Sequence, residues 1–284
     1  MKRKVCLGIL LLILTPFLLW GEKKENSFEY SEYLLLKTVE NPKEIDIKWI
    51  QIHANETEAL KTMFWALERF GGSSYQVMNH KKWPQREIKD QIEGKRFYYD
   101  PNRIFSEKGI NETLLFYNSI FFQKKKQAQK LKKKTADKLK KNQIFFLEKL
   151  DFNPEVYLIA LHNNMNKTEF SLEKYLKKPY SLFYQVYQNE NENPKNFFIV
   201  LEEKEFLFFK NRKENVIWLQ TADEKMDDGS LGFYCKKNGF PYLNIETRFG
   251  DFEKQKKMVG DAVFFIYSQK IQKQIKRIKS LMFF

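Results

Sequence analysis

Cysteine, histidine and glycine are all sparse in this chain. Two cysteines occur in 284 residues. Cys6 lies within an amino-terminal apolar stretch and Cys235 is the other, so a chain trimmed of that stretch cannot form an internal disulfide. No cysteine closes the apolar stretch, which removes a lipid-anchored export signal. Only 11 glycines are present and alanine is scarce, while Lys, Asn, Ile and Phe abound. That bias belongs to the coding composition rather than to function. No internal repeat and no long linker divides the chain. Three histidines occur in all, so the position of each carries weight. His80 stands beside Lys81 and Lys82 and reads as exposed. His53 and His162 each follow a strand-like run.

Hydrophobic residues make up 43% and aromatics 16%, a globular composition long enough for one α/β domain with a proper core. Residues 1–21 have the pattern of a secretory signal: Lys2, Arg3 and Lys4, then an apolar run from Val5 to Trp20. The run is shorter than the roughly 20 residues of a spanning helix. Cleavage releases residues 22–284 to the periplasm or the exterior; retention leaves residues 5–20 as a membrane anchor. Both outcomes stay open here.

The net charge of +14 is concentrated, because residues 123–142 hold ten lysines and one aspartate. Ala128, Leu131, Thr135, Leu139 and Phe146 recur there at helical spacing. The lysines are either a solvated helix face or an attachment to an anionic membrane or cell-wall surface. Nucleic acid is not expected as a partner, since the run lacks interleaved aromatics and lies behind an export signal.

Residues 22–40 read as a polar domain edge. Residues 45–53 form a β-branched strand ending at His53, and Asn55 is placed to cap a helix carrying Leu60, Met63, Phe64 and Leu67 on one face. Gly71 and Gly72 stop that helix. Val156–Leu161 reads as a buried central strand ending at His162, and Tyr242–Glu246 as a strand ending at Glu246. A long helix follows over 252–282. Side chains at the carboxyl ends of neighbouring strands converge on one crevice. His53, Glu56 and His162 make two imidazoles and a carboxylate, the ligand set of catalytic Zn2+ with an open position for water. Glu246 fits a general base, and Asn102 and Arg103 fit a clamp for a substrate carboxylate. Taken singly, each element has an ordinary structural reading; together, at strand ends, they describe a hydrolase site. Asp227–Leu231 reads as a tight turn or as a loop that helps to bind substrate.

Four segments carry a resemblance: His53-Ala-Asn-Glu56, Asp100-Pro-Asn-Arg-Ile-Phe105, His162-Asn163 and the late Glu246. The chain resembles the zinc carboxypeptidase superfamily, above all its aspartoacylase and succinylglutamate desuccinylase branch. The resemblance implies an α/β domain with a central mixed, mostly parallel sheet flanked by helices. It implies one Zn2+ on His53, Glu56 and His162, a carboxylate clamp of Asn102 and Arg103, substrate contact by Asn163, and Glu246 as base. It also implies an arginine upstream of Asp100 that polarises the scissile carbonyl, for which Arg86 and Arg96 both stand, Arg86 favoured because 94–96 reads as a turn. The expected function is an exported peptidase on peptides or peptidoglycan stem peptides. N-acyl amino acid deacylation is the alternative enzyme. A non-catalytic protein binding an anionic surface is the alternative from another class.

Overall fold

The computed structural model describes residues 23–31, 34–43, 46–78, 85–119, 126–164 and 170–282. Residues 1–21, read above as an export signal or anchor, His80 and the first lysines of the 123–142 run lie outside the described residues. The elements follow in the order β1 (Lys24–Ser31), β2 (Leu34–Asn41), β3 (Ile47–Gln51), α1 (Thr57–Phe70), β4 (Gly72–Met78), β5 (Ile88–Ile92), β6 (Lys95–Tyr99), α2 (Glu107–Asn118), α3 (Lys126–Leu150) and β7 (Tyr157–Asn164). They continue with β8 (Tyr184–Tyr187), β9 (Phe197–Val200), α4 (Glu203–Asn211), β10 (Val216–Leu219), α5 (Leu231–Asn238), β11 (Tyr242–Arg248) and α6 (Phe252–Met282).

Nine strands form one sheet in the order β1-β2-β4-β3-β7-β11-β9-β10-β8, and β5 pairs with β6 in a separate hairpin. The central neighbours β4, β3, β7 and β11 run parallel. Antiparallel pairs flank them on both sides. The sheet is therefore mixed, as expected, but not mostly parallel. The residues read as a polar edge form a hairpin, β1–β2, and an antiparallel hairpin needs no crossover helix.

Alternation along the central strands builds two apolar layers. In β7, Leu158 and Ala160 pack on the layer containing Leu114 of α2 and Leu139 and Phe146 of α3. Ile159 and Leu161 pack on the opposite layer with Met63 of α1, Phe209 of α4 and Val259 of α6. Helix α1 buries Ala59, Thr62, Met63, Ala66 and Leu67, while Phe64 stays 37% exposed. Gly71 ends this helix, as expected, with φ +83°. Helix α3 buries Leu131, Thr135, Leu139 and Phe146, so the lysines do fill its other faces.

The chain leaves β3 through α1 to β4 on one side and later returns to β7 on the other. That reversal of strand order opens a crevice at the carboxyl ends of β3 and β7. Two strands run longer than their apolar stretches suggest: β7 extends past His162 to Asn164, and β11 past Glu246 to Arg248. His162, Asn164 and Glu246 line the crevice and Asn163 and Thr247 are buried on the other side of their strands, so polar residues break the hydrophobic pattern without ending the strand.

Candidate metal centre

Strand β3 stops just before His53, and the backbone turns back on itself. The amide of Glu56 donates to the His53 carbonyl at 3.1 Å, and the Gln51 side chain donates to the same oxygen at 2.5 Å. The turn sets His53 Nδ1 2.8 Å from Glu56 Oε1. His162 has the parity of Leu158 and Ala160 in β7, and register places Glu246 of β11 directly beside it. His162 Nδ1 lies 2.9 Å from Glu56 Oε2. One donor atom from each of His53, Glu56 and His162 falls within 4.8 Å of the others, and all three residues are buried. Asn55 does not cap α1: Glu56 holds the cap position, and the Asn55 side-chain oxygen is buried at the cleft with no hydrogen-bond partner among the described residues.

The donor chemistry suits Zn2+. On the far side of the His53 ring, Asp100 Oδ1 sits 2.9 Å from Nε2. With a cation at the centre, a carboxylate there would hold the proton on Nε2 and leave the Nδ1 lone pair to the metal, the arrangement that orients metal-binding imidazoles. Asp100 is itself fixed, accepting from the Asn102 amide at 2.8 Å while its own amide donates to Thr113 Oγ1 at 2.9 Å. Burial alone depresses the His53 pKa, but Asp100 and Glu56 outweigh it and hold the ring up at about 9. For Glu56, burial opposes ionisation, yet His162 and His53 keep its carboxyl well below the usual carboxylate range. A cation seated among these donors replaces the shared proton.

Glu246 differs from Glu56. Burial, reinforced by Glu56, raises its pKa above the ordinary value despite His162, Asn244 and Arg86. Among the described residues its side-chain hydrogen bond comes from Asn244 Nδ2, which donates at 3.1 Å. Two carboxylates at one centre are thus pushed in opposite directions, which is the signature of divided roles.

Arg86 is the upstream arginine that reaches the centre. Its guanidinium lies 3.3 Å from Glu56 Oε1 and 3.2 Å from Asp100 Oδ2. Arg96, the other arginine expected upstream, is exposed on the β5–β6 hairpin and is not among the residues that line the cleft. Asn163 has the opposite parity to His162 and faces α1. Its side-chain oxygen accepts from the Ala59 amide at 2.5 Å and its side-chain nitrogen donates to Thr247 Oγ1 at 2.9 Å, so it ties β7 to α1 and β11. Asn102 and Arg103 both line the cleft. The Leu231 amide donates to Asn102 Oδ1 at 3.0 Å, which docks the turn on the start of α5.

Two features escaped the sequence reading. One is the position of Asp100 behind His53; its place at the head of the Asp-Pro-Asn-Arg motif was the available signal. The other is Asp228, whose Oδ2 accepts from Arg103 at 2.6 Å. Asp228 belongs to the turn at 227–231, packed so closely on the Arg103 turn that a Cβ on Gly229 would stand 2.5 Å from the Arg103 carbonyl. The Phe105 amide donates to the Gly229 carbonyl at 2.9 Å, and Ser106 Oγ to Asp227 Oδ1 at 2.8 Å. His53, Glu56, His162, Glu246, Arg103 and Asp228 line one cleft of about 490 Å³, together with Tyr175, Tyr180 and Tyr184.

No protein-family model matches the chain, and no curated protein matches it. Among solved structures, tripeptide-bound Csd4, a cell shape determinant protein from Helicobacter pylori, is similar to it at 13% identity and a TM-score of 0.39. The match covers 87% of this chain and 55% of that one, so the chain spans about half of that protein's length.

Proposed function

We propose that this chain is a zinc-dependent hydrolase of the carboxypeptidase type, cleaving an amide bond beside a free carboxylate. The observation that carries the reading is the convergence of His53, Glu56 and His162 in a cleft that also holds Glu246 and two arginines. Zn2+ held by those three residues supplies a Lewis acid and lowers the pKa of a bound water to roughly 7.

The chain's own residues account for the rest. Arg103 presents a planar fork to the substrate carboxylate. Arg86, between Glu56 and Asp100, offers a cation to the oxyanion that develops at the scissile carbonyl. Glu246, with its raised pKa, takes a proton from the attacking water and returns it to the leaving nitrogen. Asp100 keeps His53 in the tautomer that leaves Nδ1 unprotonated.

Export by residues 1–21 makes peptides the first candidate substrates, the stem peptides of peptidoglycan among them. N-acyl amino acids are the alternative. A panel of peptides with free or amidated carboxyl termini, run beside N-acyl amino acids, separates these readings. The proposal expects cleavage of free-carboxylate peptides only, and a loss of about 10²- to 10⁴-fold in Glu246→Gln with zinc still bound. Equal cleavage of amidated peptides, or an active Glu246→Gln variant, would contradict it.

A further inference from the structure

Helix α6 has two halves of different character. Met258, Val259, Ala262, Val263, Phe265 and Ile266 bury its first half against the sheet. From residue 270 to 281 every residue is exposed. Ile271, Ile275 and Ile278 follow one another at spacings of four and three within that stretch, and are 52%, 47% and 56% exposed. Phe264 stands seven residues before Ile271, on the same line of the helix, and is 57% exposed; Leu281 extends the line at 72%. Singly exposed apolar residues are normal, but a stripe at helical period is not.

The rest of that helical surface is polar, and every charge on it is positive. Lys270, Lys273, Lys276, Arg277 and Lys279 occupy its other faces together with Gln272, Gln274 and Ser280, and no acidic residue occurs between Asp261 and the end of α6. Lys273 pairs with Glu155 of the neighbouring surface. Helix α3, although richer in lysine, is different. Its apolar stripe is already buried, and Lys134, Lys138 and Lys140 pair with Glu93, Asp90 and Glu107. No helix among the described residues is long and apolar enough to cross a membrane. An apolar stripe bordered by cations and uncharged polar residues, with no acid among them, has the composition of a helix that lies in a bilayer surface. Pairing two copies along the stripe would bring like charges together, whereas an anionic bilayer complements both the stripe and its borders.

We propose that the exposed half of α6 docks on anionic phospholipid, with Phe264, Ile271, Ile275 and Ile278 at the boundary between headgroups and acyl chains. This contact is independent of the catalytic reading.

The readout must be local, because residues 5–20 can capture the full chain on vesicles by themselves. Amide hydrogen exchange on the full chain meets that need. On vesicles of equimolar phosphatidylglycerol and phosphatidylcholine, exchange over 268–282 should slow by roughly tenfold. On phosphatidylcholine alone it should not change, and added salt should weaken the protection. The paired substitution Ile275→Glu and Ile278→Glu should abolish it while exchange in β7 and β11 stays as in the parent. Replacing Lys276 or Arg277 by Gln should weaken it by about fivefold per charge. Unchanged exchange over 268–282 on the anionic vesicles would overturn the proposal, as would protection that persists in the paired variant. Protection that rises with protein concentration in the absence of lipid would also overturn it, by assigning the stripe to a second copy of this chain.

Discussion

Asp100 Oδ1 lies 2.9 Å from His53 Nε2, on the opposite edge of the ring from Glu56. The imidazole is therefore gripped at both nitrogens, and only one grip belongs to the metal centre itself. Asp100→Asn keeps the size of the side chain but removes the charge that holds the proton on Nε2. Zinc affinity should fall by about 10- to 100-fold, measured by competition with a chelating dye under conditions where the variant is folded, and the unfolding midpoint should drop because Arg86 loses a buried ionic partner. Unaltered affinity would remove Asp100 from the account.

Asp228 and Arg103 form an ion pair at 2.6 Å, inside the clamp that the reading assigns to the substrate's carboxylate. Asp228 thus competes with any incoming carboxylate. Asp228→Asn should tighten inhibition by small carboxylic acids several-fold. Arg103→Lys should weaken it by about tenfold or more, because lysine lacks the planar fork. Inhibition constants for one acid across the three proteins decide this.

Gly229 has φ +72°, and an added Cβ would stand 2.5 Å from the Arg103 carbonyl. Gly229→Ala should separate the two turns, with a stability loss of about 1–3 kcal/mol and a raised KM. Zinc content should stay normal, because none of the three ligands touches this contact. A parent-like KM would show that the packing of these turns does not set the carboxylate clamp.

Glu205, on α4, is a stability switch away from the cleft. It accepts from the amides of Leu201 and Glu202 at 3.0 Å each and from the Tyr157 hydroxyl at 2.9 Å. Burial nevertheless pushes its pKa up to about 7. A carboxyl whose pKa is raised on folding contributes fully below its unfolded pKa, and that contribution disappears as pH climbs through the folded value. Denaturant unfolding should therefore show the parent losing about 3 kcal/mol relative to Glu205→Gln between pH 5 and pH 9. A constant difference across that range would contradict the assignment.

The apolar runs ending near His53, His162 and Glu246 made the central strands and their grouping at one sheet edge legible. The long helix over 252–282 was legible from its length and spacing. The strand ends were not, because polar residues facing a cleft look like residues facing water. The hairpin of residues 24–41 was missed for a related reason, since β1 is largely exposed and shows little alternation. Partners joined only by the fold stayed hidden too. Nothing near Asp228 in the chain points to Arg103, 125 positions away. Arg86 and Arg96 differ in reach rather than in type, so only the turn of the β5–β6 hairpin separated them.

The central claim is a single metal ion shared by His53, Glu56 and His162, and metal content tests it most directly. Protein purified without chelators should carry about one zinc per chain, by the stoichiometry of a three-ligand catalytic site. His53→Ala and His162→Ala should each lose it while Glu246→Gln keeps it. Metal-free parent protein that also fails to take up zinc on titration would contradict the account.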